Sequence, residues 1–172
     1  MGESVRNFIT LQVEKQISYM ANFIGDYTCK VDSKGRVLFP AGLKKQTGDK
    51  VYSFIVKKDL FEHCLVLYTN EEWERQNKII RSQINTFNKE HNRFLRGFYR
   101  GTAEVTLDGN GRMLIPKRLL DVAGIDKEVV FSGQDSKIEI WSKDIYNNLI
   151  EDETEFAKLA EQIMQSNNKA EE

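Results

Sequence analysis

One nine-residue pattern occurs twice in this chain, and the repetition restricts the fold more than any other feature. Residues 32–40 read DSKGRVLFP and residues 108–116 read DGNGRMLIP, 76 positions apart. The correspondence extends over the flanking residues, 25–48 and 101–124. Two copies of one unit predict a single fold with internal two-fold pseudosymmetry.

A second pair of similar segments lies downstream. Residues 65–73 and 138–146 each carry a strand-like run and then a helix start with an aromatic residue. Their offset is 73 rather than 76, which is the difference expected from insertions in surface connections. A chain of 172 residues that is 40% hydrophobic is long enough for two half-domains that share one core. We therefore expect one intertwined unit rather than two independent domains.

Each repeat is predicted to begin as a β-hairpin followed by a short helix. Residues 26–31 and 102–107 alternate apolar and polar side chains, which is the period of a strand. The four residues that follow in each copy, 32–35 and 108–111, predict a turn in which the aspartate accepts backbone amides and the glycine takes a positive φ. These loop-shaping residues are Asp32, Gly35, Asp108 and Gly111. The proline of each copy, Pro40 or Pro116, then ends the returning strand and opens a helix.

Further strands and helices complete each repeat. The additional strands are predicted at 51–56, 63–68, 128–132 and 137–141. A capping-box pattern at Thr69 predicts a helix start, and the buried stripe of that helix is predicted to reach Phe87. A connecting helix is expected at 88–99, and a last helix after Ser142 carries an apolar stripe that includes Phe156. Both stripes predict packing against the core.

The predicted domain organisation follows from these elements. It consists of an N-terminal appendage at 1–19, a first repeat at 20–87, the connecting helix at 88–99, a second repeat with its C-terminal helix at 100–164, and a frayed acidic tail at 165–172.

Composition excludes several classes of protein. No segment approaches the roughly 20 consecutive apolar residues that cross a bilayer, and no signal peptide is recognisable, so we expect a soluble, cytoplasmic protein without membrane contact. The two thiols are expected to be reduced. The cysteines and histidines lack the paired spacing of a zinc site, so no metal or other cofactor is predicted. These residues are Cys29, His63, Cys64 and His91.

Charge is unevenly distributed although the formal net charge is only -1. Residues 20–50 contain six bases and three acids, and residues 92–118 contain six bases and two acids. Residues 151–172 contain seven acids and two bases. Such segregation suits a surface that meets phosphate on one side. The alternative is a solvated tail beside ordinary surface lysines.

The repeated turn places one arginine, Arg36 or Arg112, directly after a tight reversal of the chain. A guanidinium offers five donors in a planar fork that suits phosphate oxygens or the O6 and N7 atoms of guanine. The alternative is that each arginine pairs with the aspartate of its own turn. Two copies flanked by further bases favour a surface that binds anions. Neither a nucleotide-binding loop nor a nucleophile with a partner histidine is recognisable, so we predict that the protein is not an enzyme.

Taken together, these motifs resemble the MraZ family, bacterial transcriptional regulators in the wider AbrB and MazE group with repeats of the SpoVT-AbrB type. The resemblance covers about residues 20–164 and rests on the segments 25–27, 32–40, 67–73, 100–104, 108–116 and 138–141. It implies a mainly β fold with α helices, namely a double-split, swapped-hairpin AbrB-like β-barrel of two pseudo-symmetric repeats, assembled into a homo-oligomeric ring.

The resemblance also implies a function. A repressor of this family binds repeated boxes on double-stranded DNA in the promoter of the division and cell-wall gene cluster, and is associated with the nucleoid. Arg36 and Arg112 match the family's signature arginine and are expected to read guanine. The expected phosphate contacts are Lys30, Lys34, Lys44, Lys45, Lys117 and Arg118. An alternative function is a protein-interaction ring that restrains the RNA methyltransferase usually encoded beside such regulators.

Overall fold

The computed structural model describes residues 21–48, 51–149 and 152–168. The predicted appendage at 1–19 and the end of the predicted tail, 169–172, lie outside the described residues. The strands are β1 Asp26–Lys30, β2 Arg36–Leu38, β3 Ser53–Lys58, β4 Leu65–Thr69, β5 Ala103–Thr106, β6 Arg112–Leu114, β7 Glu128–Gln134 and β8 Lys137–Ser142. The helices are α1 Ala41–Thr47, α2 Asn70–Gln83, α3 Lys89–Tyr99, α4 Lys117–Val122, α5 Lys143–Asn147 and α6 Glu153–Asn168.

The sheet topology expresses the sequence repeat directly. Six strands form one antiparallel sheet in the order β1-β7-β8-β4-β3-β5, and β2 pairs with β6 in a separate two-stranded ladder. Strands β5 to β8 are the counterparts of β1 to β4 in the second repeat. When each strand is replaced by its counterpart, the order read from the β5 edge is identical to the order read from the β1 edge. The predicted class, α+β with two pseudo-symmetric repeats, is confirmed.

The hairpins of the two repeats are exchanged. β1 pairs with β7 of the second repeat, and β5 pairs with β3 of the first. In the ladder between β2 and β6, Val37 lies opposite Met113, its own counterpart 76 positions along the chain. The pseudo-two-fold axis therefore passes between these two residues. The swapped-hairpin arrangement implied by the family resemblance is present.

Both repeats contribute to one hydrophobic core. Val37 and Met113 are 1% and 0% exposed, so the inner face of the β2–β6 ladder is sealed. The ring of Phe39 lies 5.0 Å from that of Phe54 and 5.9 Å from that of Phe131, measured between ring centroids. Aromatic contacts at these distances join the third strands of both repeats to the end of β2. Neither repeat encloses a core of its own.

Local signals start the helices where the sequence predicts them. The Thr69 hydroxyl accepts a hydrogen bond from the Glu72 amide at 3.2 Å, as expected of a capping box. The Asn88 side chain caps α3 by accepting from two backbone amides at 2.8 and 3.2 Å. Pro40 and Pro116 directly precede α1 and α4.

None of the helices in the described part of the chain is long and apolar enough to span a membrane.

The two apolar helix stripes predicted to pack against the core do not do so at Phe87 and Phe156. The side chain of Phe87 is 99% exposed, because α2 ends at Gln83 and a turn follows. The helix predicted after Ser142 is divided into α5 and α6, and Phe156 in α6 is 55% exposed. Over residues 153–165, the part of α6 whose side chains the structure describes, none belongs to the core cluster. A helical period shows that a helix is amphipathic, but not which surface its apolar side meets.

The edge of the exchanged sheet requires a glycine. Phe23, which is fully buried, forms a bridge to Asp135 through two backbone hydrogen bonds of 2.7 and 2.9 Å. The Gly133 amide donates to the Gly25 carbonyl at 2.9 Å. A Cβ atom on Gly133 would lie 2.6 Å from the Ile24 nitrogen and 2.7 Å from the Phe23 carbonyl carbon. The backbones approach too closely there for any side chain.

We expect Gly133→Ala to lower the free energy of unfolding by about 1–3 kcal/mol, the usual cost of overpacking. Gly109→Ala is the matched control, since a Cβ on Gly109 meets no atom within 4 Å, and its effect should stay within about 0.5 kcal/mol. Urea unfolding followed by circular dichroism measures both. Equal stability of the two variants would contradict the close approach of β7 to residues 23–25.

Candidate nucleic-acid interface

The first loop, residues 32–36, is organised by one carboxylate. Asp32 Oδ1 accepts the backbone amides of Lys34 and Arg36, both at 2.9 Å. The Gly35 amide donates to the Asp32 carbonyl at 3.0 Å, and Gly35 adopts a φ of +81°. That conformation strongly favours glycine. The turn predicted from the sequence is confirmed, with aspartate and glycine in the expected roles.

The second loop, residues 108–112, reproduces this geometry. Asp108 Oδ1 accepts the amides of Asn110 and Arg112 at 2.9 and 3.0 Å. Gly111 donates to the Asp108 carbonyl at 2.9 Å and has a φ of +73°. Local hydrogen bonds therefore fix both loops in one conformation although only three of their five residue types agree.

Each loop also holds its own arginine. Asp32 Oδ2 lies 2.7 Å from Nε of Arg36, and Asp108 Oδ2 lies 3.0 Å from both Nε and Nη2 of Arg112. Each arginine therefore does pair with the aspartate of its own turn. The two arginine side chains remain 34% and 33% exposed. Among the described residues neither guanidinium has another bonded partner, so each keeps free N–H donors.

We call each of these aspartate–arginine pairs, Asp32 with Arg36 and Asp108 with Arg112, a clamp. The hydrogen bonds of each loop lower the pKa of its aspartate. The backbone amide of Arg36 is the main cause that lowers the pKa of Asp32, and the guanidinium of Arg36 and the amide of Lys34 act in the same direction. The pKa of Asp108 is lowered in the same way, first by the backbone amide of Arg112. Hydrogen bonds to a carboxylate favour its charged form. Both carboxylates are therefore ionised at neutral pH.

The exchange of hairpins joins the two loops into one surface. In the β2–β6 ladder Arg36 lies opposite Leu114, and Leu38 lies opposite Arg112. Alternation along the strands directs these four side chains away from the core, whereas the residues between them are buried. We call these four residues the ladder face. It carries one clamped arginine at each end and has the symmetry of the repeat.

The exchange also decides which bases accompany each loop. The Val31 amide, at the entry to the first loop, donates to the Lys127 carbonyl at 2.8 Å. The Leu107 amide, at the entry to the second loop, donates to the Tyr52 carbonyl at 2.7 Å. Each loop is therefore held against the other repeat. A cleft of about 460 Å³ beside the first loop is lined by both repeats, including Lys34, Lys117 and Lys127.

The remaining predicted contacts have differing surroundings. Lys30 is exposed on β1 and Lys45 is exposed on α1. Lys44 is half-buried, and its ammonium donates to the Val51 carbonyl and lies 4.5 Å from the centre of the Tyr52 ring.

The two bases of α4 also have intramolecular partners. Lys117 pairs with Asp121 at 2.9 Å, and Arg118 donates to the Gly101 carbonyl at 3.2 Å. The first pair is highly exposed and therefore weak.

Lys127 is a base beside the first loop that sequence reasoning missed. It lies in the connection before β7 and reaches the loop only because of the hairpin exchange. Its neighbour Asp126 lines the same cleft. No spacing rule within one repeat identifies this residue.

A second concave site lies elsewhere on the surface. It encloses about 650 Å³ and is lined by Phe94, Phe98, Arg93, Arg100, Arg118 and other residues near α3 and α4. Its buried base, Lys57, donates to the Lys58 carbonyl at 3.0 Å, and its ammonium lies 4.3 Å from the centre of the Phe98 ring. Burial lowers the pKa of Lys57. This lysine is satisfied within the fold.

The cysteines and histidines do not come together. Cys29 on β1 and Cys64 before β4 are separated in the sheet by β7 and β8. His63 lies 2.8 Å from the Val122 carbonyl, and His91 accepts from the Asn85 amide at 2.9 Å. No cluster of side chains suitable for a metal ion occurs among the described residues.

Comparison with known proteins identifies close relatives. The family model described as "MraZ protein, putative antitoxin-like" matches residues 22–97 and again 98–167. A protein of Christiangramia forsetii, "Transcriptional regulator MraZ", is 46% identical over 147 residues, covering 84% of this chain and 94% of its own length. Relatives of the same name from Cytophaga hutchinsonii and Carboxydothermus hydrogenoformans are 42% and 40% identical and cover 84% and 73% of this chain, and 96% and 85% of their own lengths.

The clamp generates a prediction for pH dependence. Because the folded protein lowers the pKa of Asp32 and Asp108, their contribution to stability is complete above the ordinary aspartate pKa of about 3.9 and is lost as the pH falls through the folded values. Asn at both positions keeps an acceptor oxygen but does not titrate. We expect the stability difference between wild type and Asp32→Asn/Asp108→Asn to narrow below about pH 4.

Carboxyl carbon NMR titration and urea unfolding at several pH values check this expectation. Both carboxyl groups should titrate below about 3.9. Titration at or above that value, or parallel stability profiles for the two proteins, would contradict the clamp.

Proposed function

The chain belongs to the MraZ family, and from this premise we propose that its ladder face reads base sequence in the major groove of double-stranded DNA. Its relatives are named transcriptional regulators, and this chain is accordingly a transcriptional regulator rather than an enzyme. The observation that carries the proposal is the pair of clamped, partly exposed arginines at opposite ends of one ladder.

The shape of the ladder suits the groove. The major groove of B-DNA admits a two-stranded β-ribbon, and β2 with β6 is such a ribbon. Its inner residues, Val37 and Met113, are buried in the core, so the ribbon is supported from behind. Side chains on rigid strands approach base edges with little loss of backbone entropy.

The clamp prepares each arginine for guanine. The carboxylate occupies the Nε side of the guanidinium in both loops, and N–H groups on the other side remain to donate to O6 and N7 of guanine. Holding the fork in advance reduces the entropy lost on binding. The aspartates also place negative charge near the groove, which disfavours indiscriminate binding to phosphates. Arg36 and Arg112 are thus proposed to supply specificity rather than bulk attraction.

Lysines around the loops are proposed to neutralise phosphates, which supplies affinity without sequence information. The exposed candidates are Lys30, Lys34, Lys45, Lys117 and Lys127. Lys44 and Arg118 have intramolecular partners, so their part in phosphate binding is proposed to be smaller. The first loop, with three lysines along its cleft, is proposed to bind the backbone more strongly than the second.

A homo-oligomeric ring is proposed to complete the mechanism. Two arginines in one subunit specify few base pairs, whereas a ring offers the same ribbon several times to repeated promoter boxes. Each bound ribbon raises the effective concentration of the next. The proposed target, implied by the family resemblance, is the promoter of the division and cell-wall gene cluster, with repression as the outcome and the nucleoid as the site of action.

We expect Arg36→Ala/Arg112→Ala to lose sequence preference, at a cost of about 1–3 kcal/mol of discrimination for each arginine. Lys127→Ala should weaken binding to all sequences alike and reduce the slope of log K against log salt by about 0.9 for the lost phosphate contact. Selection from random duplex DNA, followed by gel-shift titration of selected and scrambled duplexes at several salt concentrations, measures both effects. Arg81→Ala is the control, because Arg81 is exposed on α2 outside the ladder face.

Unchanged binding and preference in the double arginine variant would refute the assignment of the ladder face. If wild type itself shows only weak affinity that salt abolishes, with no preference over scrambled DNA, the gene-regulatory mechanism fails. That result would favour the alternative of a ring whose basic loops dock an acidic protein such as an RNA methyltransferase.

A further inference from the structure

Two exposed leucines occupy the ladder face between the arginines. Leu38 is 56% exposed and Leu114 is 57% exposed. Single exposed leucines are common on protein surfaces. These two differ because they are counterparts in the repeat, with nearly equal exposure, two positions after each clamped arginine.

The ladder register assigns each leucine to the arginine of the other repeat. Leu114 lies directly opposite Arg36, and Leu38 directly opposite Arg112. Each leucine also rests on the loop of the other repeat. A Cβ atom added at Gly35 would lie 3.8 Å from Leu114 Cδ1, and one added at Gly111 would lie 3.9 Å from Leu38 Cδ1. These are ordinary van der Waals distances, so each leucine lies beside the loop that holds the arginine opposite it.

We propose that Leu38 and Leu114 recognise the C5-methyl group of thymine beside the guanine read by the opposing arginine. This inference rests on the proposed function and adds a second base to each element of the site. Thymine is the only base of DNA with a methyl group in the major groove, and apolar side chains contact it there. No hydrogen bond is needed, so an aliphatic side chain is sufficient.

The distance between an arginine and the leucine opposite it suits contact with two neighbouring base pairs. Opposing side chains in an antiparallel ladder begin about 5 Å apart, and successive base pairs are separated by about 3.4 Å. An arginine and the leucine opposite it therefore reach neighbouring base pairs. Because the ladder has pseudo-two-fold symmetry, one ribbon presents two such pairs in opposite orientations. The preferred site should contain thymine adjacent to guanine, repeated about a dyad.

The test removes only the methyl group from the DNA. Wild type is first used to select a box from random duplex DNA, and a duplex with a single selected box is then made with uracil in place of each thymine next to a selected guanine. Uracil keeps the hydrogen-bonding edges of thymine. We expect affinity to fall about fourfold for each substituted thymine, as for loss of one buried methyl-sized group. Uracil at thymines outside the box is the DNA control.

A matching protein variant removes the leucine side chains, so that both partners of the proposed contact are tested. Leu38→Ala/Leu114→Ala should bind the thymine and uracil duplexes equally, whereas Leu149→Ala should retain the wild-type preference for thymine. Leu149 is a suitable control because it is 49% exposed and lies outside the ladder face. The wild-type comparison needs no variant, so it stands even if the double variant folds poorly.

Three other results would each overturn a claim. If wild type selects a box but binds its uracil form equally well, the thymine assignment is overturned while the proposed function stands. If wild type selects no sequence at all, the proposed function fails and this inference with it. If the double leucine variant changes the mass of the oligomer in solution but keeps the thymine preference, the leucines form a contact between copies of the chain, and the proposal is overturned.

Discussion

The pairing of β2 with β6 is the constraint on which the rest of the structure depends. It places Val37 opposite Met113, its own counterpart, and thereby sets the two-fold axis of the whole unit. Both side chains are buried, so neither hairpin can leave the other without exposing the centre of the core. The six-stranded sheet has the same exchange, because each first strand pairs with the third strand of the other repeat. Neither repeat is expected to be stable alone.

The same pairing makes one surface from two separate motifs. The Asp-x-x-Gly-Arg loops are far apart in sequence, yet they lie at opposite ends of a ladder of three residue pairs. Each loop supplies an aspartate that fixes its arginine, and each rests on the other repeat at its entry. The loops are alike, but their surroundings are not, since Leu120 and Asp121 hold the positions of Lys44 and Lys45. This inequality is the basis for proposing that the two halves contribute differently to DNA binding.

Sequence reasoning succeeded where a structure is determined by neighbours in the chain. The turn hydrogen bonds, the cap at Thr69 and the start of α1 after Pro40 all involve residues within a few positions of one another. It failed where an apolar side chain had to be assigned a partner. Phe87 is predicted to lie in the core but lies beyond the end of α2, and Phe156 lies in α6 with 55% of its side chain exposed. Periodicity does not contain that information.

The sequence by itself determined the repeat, the two turns and the positions of both arginines, because hydrogen bonds spanning four residues are fixed by local residue types alone. The family resemblance supplied the hairpin exchange as an expectation. Only the tertiary structure decided which side chains surround each arginine, bringing Leu114 opposite Arg36 and Lys127 to the first loop. Such contacts between distant segments depend on strand register and on burial of a shared core, and these arise only when both repeats fold together.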